Sequence, residues 1–123
     1  EMSGRLGADH IAVVPMDADA LRQAVERATL IVNTTSLGMS PHTDRMPAIP
    51  PEAMHPELFI YDLIYNPLET ALLRTARSQG ARGTHGAGML ARQGALALEL
   101  WTGQPAPAEL MEQVVLAALA ERQ

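Results

Sequence analysis

Amide, hydroxyl and glycine residues gather in three short stretches of this chain. They are Asn33-Thr34-Thr35-Ser36-Leu37-Gly38-Met39, then Tyr61-Asp62-Leu63-Ile64-Tyr65-Asn66-Pro67-Leu68-Glu69-Thr70, then Gly86-Ala87-Gly88-Met89-Leu90-Ala91-Arg92-Gln93. At the end of a buried strand, the hydroxyls and backbone amides of the first stretch can face a cofactor. The same side chains equally suit a turn in which they bond their own backbone. Tyr65 offers a hydroxyl, and it also fits a residue that packs its ring and wets its tip. Gly86 lets the backbone approach a flat ring closely, and Met89 offers a soft, polarizable wall. A plain loop glycine and a core methionine are the simpler readings. Gln93 lies one turn after Met89 and Leu90 on one helix face, and its amide donates and accepts, which suits a polyhydroxylated ring. Most helical glutamines are only solvated. The Gly-x-Gly at 86–88 lacks the third glycine of a dinucleotide fingerprint.

The elements that must position these stretches follow from apolar spacing. Residues 1–10 read as a helix tail entering a loop, and Ile11-Ala12-Val13-Val14, closed by Pro15, reads as a buried strand. Asp17 is the expected N-cap of a helix with Leu21, Ala24, Val25 and Ala28 on one face. Leu30-Ile31-Val32 is a second strand. From Met39 to Glu57 five prolines (Pro41, Pro47, Pro50, Pro51, Pro56) break the pattern, which predicts a long functional or mobile loop with at most one helical turn at Pro51 to Met54. Leu58 to Ile64 reads as the third strand, placing Leu63 and Tyr65 on one face. A helix from Glu69 or Thr70 ends at Gly80, and Arg82 to His85 is a weak fourth strand. One helix runs from Gly86 or Gly88 to Trp101 and stops at Gly103. A last helix begins near Pro107, with Leu110, Met111, Val114, Val115 and Ala118 as its apolar stripe and Glu109, Glu112, Glu121 and Arg122 on its solvated face.

This order predicts an α/β fold: a partial Rossmann-like parallel sheet covered on both faces by helices, with two helices at the C-terminal end. Residues 1–123 read as one incomplete dinucleotide-binding domain. A doubly wound nucleotide domain opens with strand, Gly-rich turn and helix, and that opening unit is lacking here. The expectation is therefore a C-terminal portion of a two-domain enzyme.

Composition narrows the function classes. A net charge of −5 and 3% aromatic residues supply neither a basic stripe for phosphates nor a stacking platform, which argues against a nucleic-acid partner. With no cysteine, disulfides and thiolate metal sites are excluded, and a reducing cytoplasm suits the chain. His10, His42, His55 and His85 show no ligand spacing, so no metal is assigned. The longest apolar runs fall far short of the roughly 20 residues of a spanning helix, so no membrane segment is expected. All 9 basic residues are Arg, and a mechanism that needs lysine must find it elsewhere.

With its Asn-x-Thr-x-x-Gly-Met, Asp-x-x-Tyr-Asn-Pro-x-x-Thr and Gly-x-x-Met-Leu-x-x-Gln segments in this order and spacing, and its Leu100-Trp101-Thr102-Gly103 ending, the chain resembles shikimate dehydrogenase over about residues 28–119. The resemblance implies reversible reduction of 3-dehydroshikimate to shikimate with NADPH. Hydride goes to the ring ketone and a proton to the resulting alkoxide. It places Thr35, Ser36, Leu37, Leu63, Gly86, Met89 and Leu90 beside the cofactor and Tyr65 and Gln93 at the substrate. His85 departs from the family's usual Asp. The family's proton-handling Lys and Asp come from an N-terminal domain and map to no position here, so no catalytic residue is assigned. A chain inactive alone is expected, and one that self-associates through an exposed sheet edge. Two alternatives stay open: a quinate/shikimate dehydrogenase using NAD, and a non-catalytic binding or assembly module. Relatives of methylene-tetrahydrofolate dehydrogenase or glutamyl-tRNA reductase fit the Tyr-Asn-Pro and Met-Leu-x-x-Gln segments poorly.

Overall fold

A computed structural model describes residues 11–121. The expected helix tail over residues 1–10, His10 and Arg122 lie outside them. Three parallel strands, β1 (Leu30–Asn33), β2 (Phe59–Asp62) and β3 (Arg82–Thr84), form a sheet in the order β1-β2-β3. Their register pairs Leu30 with Phe59, Asn33 with Asp62 and Phe59 with Arg82. Crossover segments join the strands in turn, as parallel pairing requires.

Helix α1 (Ala18–Arg27) starts at Asp17, whose side chain accepts the Ala20 amide at 2.9 Å. Helix α2 (Ala71–Ser78) starts at Thr70, whose hydroxyl accepts from Leu73 N at 3.2 Å. Together they cover one sheet face. Val25 from α1 and Leu72, Leu73 and Ala76 from α2 join Leu58 and Ile60 in the core. Alternation along the strands then puts Leu30, Val32, Phe59 and Tyr61 on the opposite face. Leu30 and Val32 remain 55% and 47% exposed there. The parallel sheet flanked by helices, expected from the sequence, is present; on its second face the β1 side is the exposed part, while Phe59 and Tyr61 of β2 are half-buried.

The proline-rich segment is a loop with the one helical turn expected at Pro51, but its apolar residues are drawn into the core. A 3-10 turn at Pro51–Ala53 is flanked by Ile49, Met54 and Leu58, all buried in the core. His55 Nε2 lies 3.1 Å from the Ala28 carbonyl, and Arg22 meets Glu52 at 2.6 Å, fastening the segment to α1. Proline removes backbone donors and helix propensity but not burial, so the segment packs as irregular core.

Two further expectations change. Ile11 to Val14 form no strand, and Ile11, Val13 and Val14 are exposed. An apolar run becomes a strand only beside a neighbour that takes its hydrogen bonds, and none of the described residues does so here. β2 ends at Asp62, not at Ile64, because Asp62 turns back to accept the Ile64 amide at 3.2 Å.

The long helix α3 (Ala87–Thr102) ends at Gly103, whose left-handed φ of 68° closes the last turn with a bond to Glu99 O. It packs against α4 (Ala108–Ala120). The expected stripe of α4 splits. Met111 and Val115 are half-buried while Leu110, Val114 and Ala118 are exposed, and Leu119, outside the stripe, is buried. Glu112, expected on the solvated side, is half-buried and meets Arg92 of α3 at 3.4 Å. No described helix is long and apolar enough to cross a membrane.

Candidate functional site

The carboxyl ends of the three strands are stitched together by backbone bonds that continue past the strands themselves. Leu63 N donates to Asn33 O at 3.1 Å, and Gly86 N donates to Ile64 O at 2.9 Å. Gly86 presses so closely on the middle strand end that a Cβ would lie 2.1 Å from the Leu63 carbonyl oxygen. Only glycine fits. Asn33, Leu63 and Gly86 thus form one continuous ledge, as the strand-end argument requires.

Beneath this ledge runs a buried polar network. Asp62, fully buried, accepts from Asn33 Nδ2 at 2.9 Å, from Ile64 N at 3.2 Å and from Thr70 Oγ1 at 2.7 Å. Asn33 Oδ1 in turn accepts from Thr35 N and Thr35 Oγ1, at 3.1 and 2.7 Å. Leu37 N donates to Thr35 Oγ1 at 3.2 Å. The turn reading of Asn33 to Gly38 is therefore realised: the Thr35 hydroxyl is bonded within its own loop. Thr35, Ser36 and Leu37 are nevertheless exposed along the ledge.

Leu63 is half-buried, and Tyr65 is 38% exposed in the loop beyond β2. Both lie just beyond the end of β2, where burial still alternates: Ile64 between them is buried. On α3, Met89 is exposed and Leu90 is half-buried with its amide on Gly86 O. Gln93 is exposed, and its Nε2 donates to Leu90 O at 3.2 Å, which leaves the amide oxygen free of that contact.

An open cavity of about 480 Å³ lies between the β2–β3 side of the sheet and the α3–α4 pair. Met89 and Gln93 line it, with Tyr61, His85, Arg92 and Glu112; Tyr65 does not. Gln93 shares this cavity with Tyr61. Sequence reasoning passed over Tyr61, although its alternation with the buried Ile60 and Asp62 points it to the other face. The charged Arg92–Glu112 pair was missed as well, since it joins two helices. Among the described residues, no group of three His, Cys, Asp or Glu side chains is arranged to hold a metal ion.

Comparison with known proteins gives a consistent answer. The family model of the Shikimate 5'-dehydrogenase C-terminal domain matches residues 86–116. The chain is 44% identical over 103 residues to shikimate dehydrogenase (NADP(+)) of Methanopyrus kandleri, a match that covers 84% of the chain and 36% of that protein. It is 48% identical over 99 residues to the enzyme of that name from Methanosarcina barkeri, covering 80% of the chain and 35% of the relative. Among solved structures, it resembles shikimate 5-dehydrogenase from Thermus thermophilus in complex with NADP(H) and shikimate, with a TM-score of 0.78 and 36% identity over 96% of the chain and 41% of that protein. Quinate dehydrogenase from Corynebacterium glutamicum in complex with NAD gives a TM-score of 0.77 at 27% identity, over 94% of the chain and 40% of that protein. The chain spans about a third of the length of the curated relatives it matches.

Proposed function

Because this chain belongs to the shikimate dehydrogenase family, as its C-terminal part, we propose that it forms the nicotinamide-side wall of an NADP-dependent shikimate dehydrogenase. In this reading residues 1–123 are one portion of a dinucleotide-binding domain. Thr35, Ser36, Leu37, Leu63, Gly86, Met89 and Leu90 face the cofactor, and Tyr65 and Gln93 face shikimate or 3-dehydroshikimate.

The observation that carries the reading is the ledge itself: three strand ends held in register by Leu63 N on Asn33 O and Gly86 N on Ile64 O. Its exposed lip, from Thr35 to Leu37 and across to Met89, holds short or uncharged side chains, which fits a flat, uncharged ring better than a phosphate. When bound, the nicotinamide supplies the hydride. This chain's residues contribute position: Gly86 brings helix α3 tight against the ledge, and Met89 and Gln93 project from its first turns. Alignment of this kind accounts for much of the rate in hydride transfer. The sequence contains no lysine, so the reading assigns no proton donor to this chain and expects it to be inactive alone.

A decisive test joins residues 11–123 to the preceding part of the Methanosarcina barkeri enzyme and follows shikimate-dependent reduction of NADP+. Turnover is expected from the chimera and not from the isolated chain. Tyr65→Phe and Gln93→Leu in the chimera should each lower kcat/KM for shikimate by about ten-fold or more. An active chimera indifferent to both changes would remove them from the substrate site. The quinate dehydrogenase with NAD, similar over 94% of the chain, supports a second reading in which quinate and NAD are used. Competition between the two cofactors and the two acids in the same chimera separates them.

A further inference from the structure

Helix α3 starts without the usual device. Its N-cap is Gly86, which has no side chain to offer the first-turn amides. No capping residue can take its place, given the 2.1 Å approach that a Cβ would make to the Leu63 carbonyl oxygen. Helices α1 and α2 solve the same problem with Asp17 and Thr70. In α3 the acceptor comes from one residue earlier, where Ala87 N points at His85 Nδ1, 3.4 Å away. We infer that His85 is a positioning residue: its Nδ1 caps α3 in place of the side chain that Gly86 cannot carry, and it does so only as a neutral imidazole.

The tautomer follows from the contact. Nδ1 accepts, so Nε2 carries the proton. A doubly protonated ring has no acceptor left and brings a positive charge to the positive end of a helix. The charged and titratable groups that share its cavity are Tyr61 from β2, Arg92 from α3 and Glu112 from α4. Arg92 and Glu112 engage each other at 3.4 Å. The contact needs the ring's lone pair, so in this inference the cap exists only while the imidazole is neutral. Where the resemblance expects Asp, a carboxylate would keep its acceptor after an imidazole had lost it. In this inference the first turn of α3, which carries Met89, is held by an acceptor that a doubly protonated ring would lack.

The cap stands on the helix geometry alone; only its effect on a cofactor rests on the proposed function. Amide hydrogen exchange of residues 87–90, corrected for intrinsic rates, is measured by NMR against pH in the wild-type chain and in His85→Ala, His85→Asn and His85→Asp. Near neutral pH, H85A should speed first-turn exchange by about five-fold, the size of a lost cap, while H85N and H85D restore it. On acidification the wild type should converge on H85A, and H85N should stay unchanged. Unaltered exchange in H85A, or identical pH responses in wild type and H85N, would overturn the inference. Titration with NADP+ gives the second arm. Binding weakened in H85A and restored in H85N supports positioning, and equal binding by all four proteins overturns it. If the wild type binds no NADP+, the cofactor reading fails while the exchange data still decide the cap.

Discussion

Asp62 has no surface in water, and three donors converge on its carboxylate from Asn33, Ile64 and Thr70. Asp62→Ala would strand all three in a dry interior, at a cost of about 3–5 kcal/mol. Asp62→Asn keeps one acceptor oxygen and gives up mainly the Thr70 contact, a loss of about 1–2 kcal/mol. Urea denaturation of the two variants should show that ordering, and equal losses would mean that the network is not what holds the strand ends. Gly86→Ala acts on the same ledge by volume: its methyl must push the Leu63 backbone away, for about 3 kcal/mol in thermal unfolding. The sequence displayed Asn33, Asp62 and Thr70 as motif letters but not as one another's partners. Those contacts span 29 and 8 residues and depend on strand register, which local spacing does not encode.

At the scale of elements, the helices were legible because their signals are local. Asp17, Thr70 and Gly103 mark ends, and the 3.6-residue period marks faces. The strand over Ile11 to Val14 was misread and the burial of Ile49 and Met54 in the proline-rich loop went unseen, because pairing and burial are decided by distant neighbours. That loop supplies a measurable handle. Glu52 accepts from its own backbone amide and then from Arg22, which together hold its carboxyl below the ordinary value of 4.5. A depressed carboxylate contributes stability above its unfolded value, and the contribution disappears as pH falls through the lower folded value. A carbon-detected NMR titration should therefore place the Glu52 midpoint below the ordinary glutamate value of 4.5. Arg22→Gln should raise it only partway, since the backbone contact, the larger cause, remains. Because the pair is open to water, salt should mute the Arg22 part. A full return to the ordinary value in R22Q would show that the guanidinium alone sets it.

For the whole molecule, the question is what the uncovered apolar surface does. Leu30 and Val32 lie on the exposed β1 side of the sheet, and Leu100 and Trp101 are 83% and 81% exposed near the end of α3. Exposed large apolar side chains of this kind seek cover, whether from another part of a longer polypeptide or from a second copy. A parallel edge strand adds unpaired backbone groups to the same demand. Trp101 is the single tryptophan, so its emission reports its own burial. In the isolated 123-residue chain, light scattering should show mass rising with concentration, accompanied by a blue shift of the emission. The double variant L100E/W101Q should weaken that association by about ten-fold or more, if these residues anchor it as buried aromatic and aliphatic side chains commonly do. A blue shift without a change in mass would place the cover within one chain. A rise in mass with no shift would move the contact from α3 to the β1 edge, where Val32→Glu should then be the change that abolishes it.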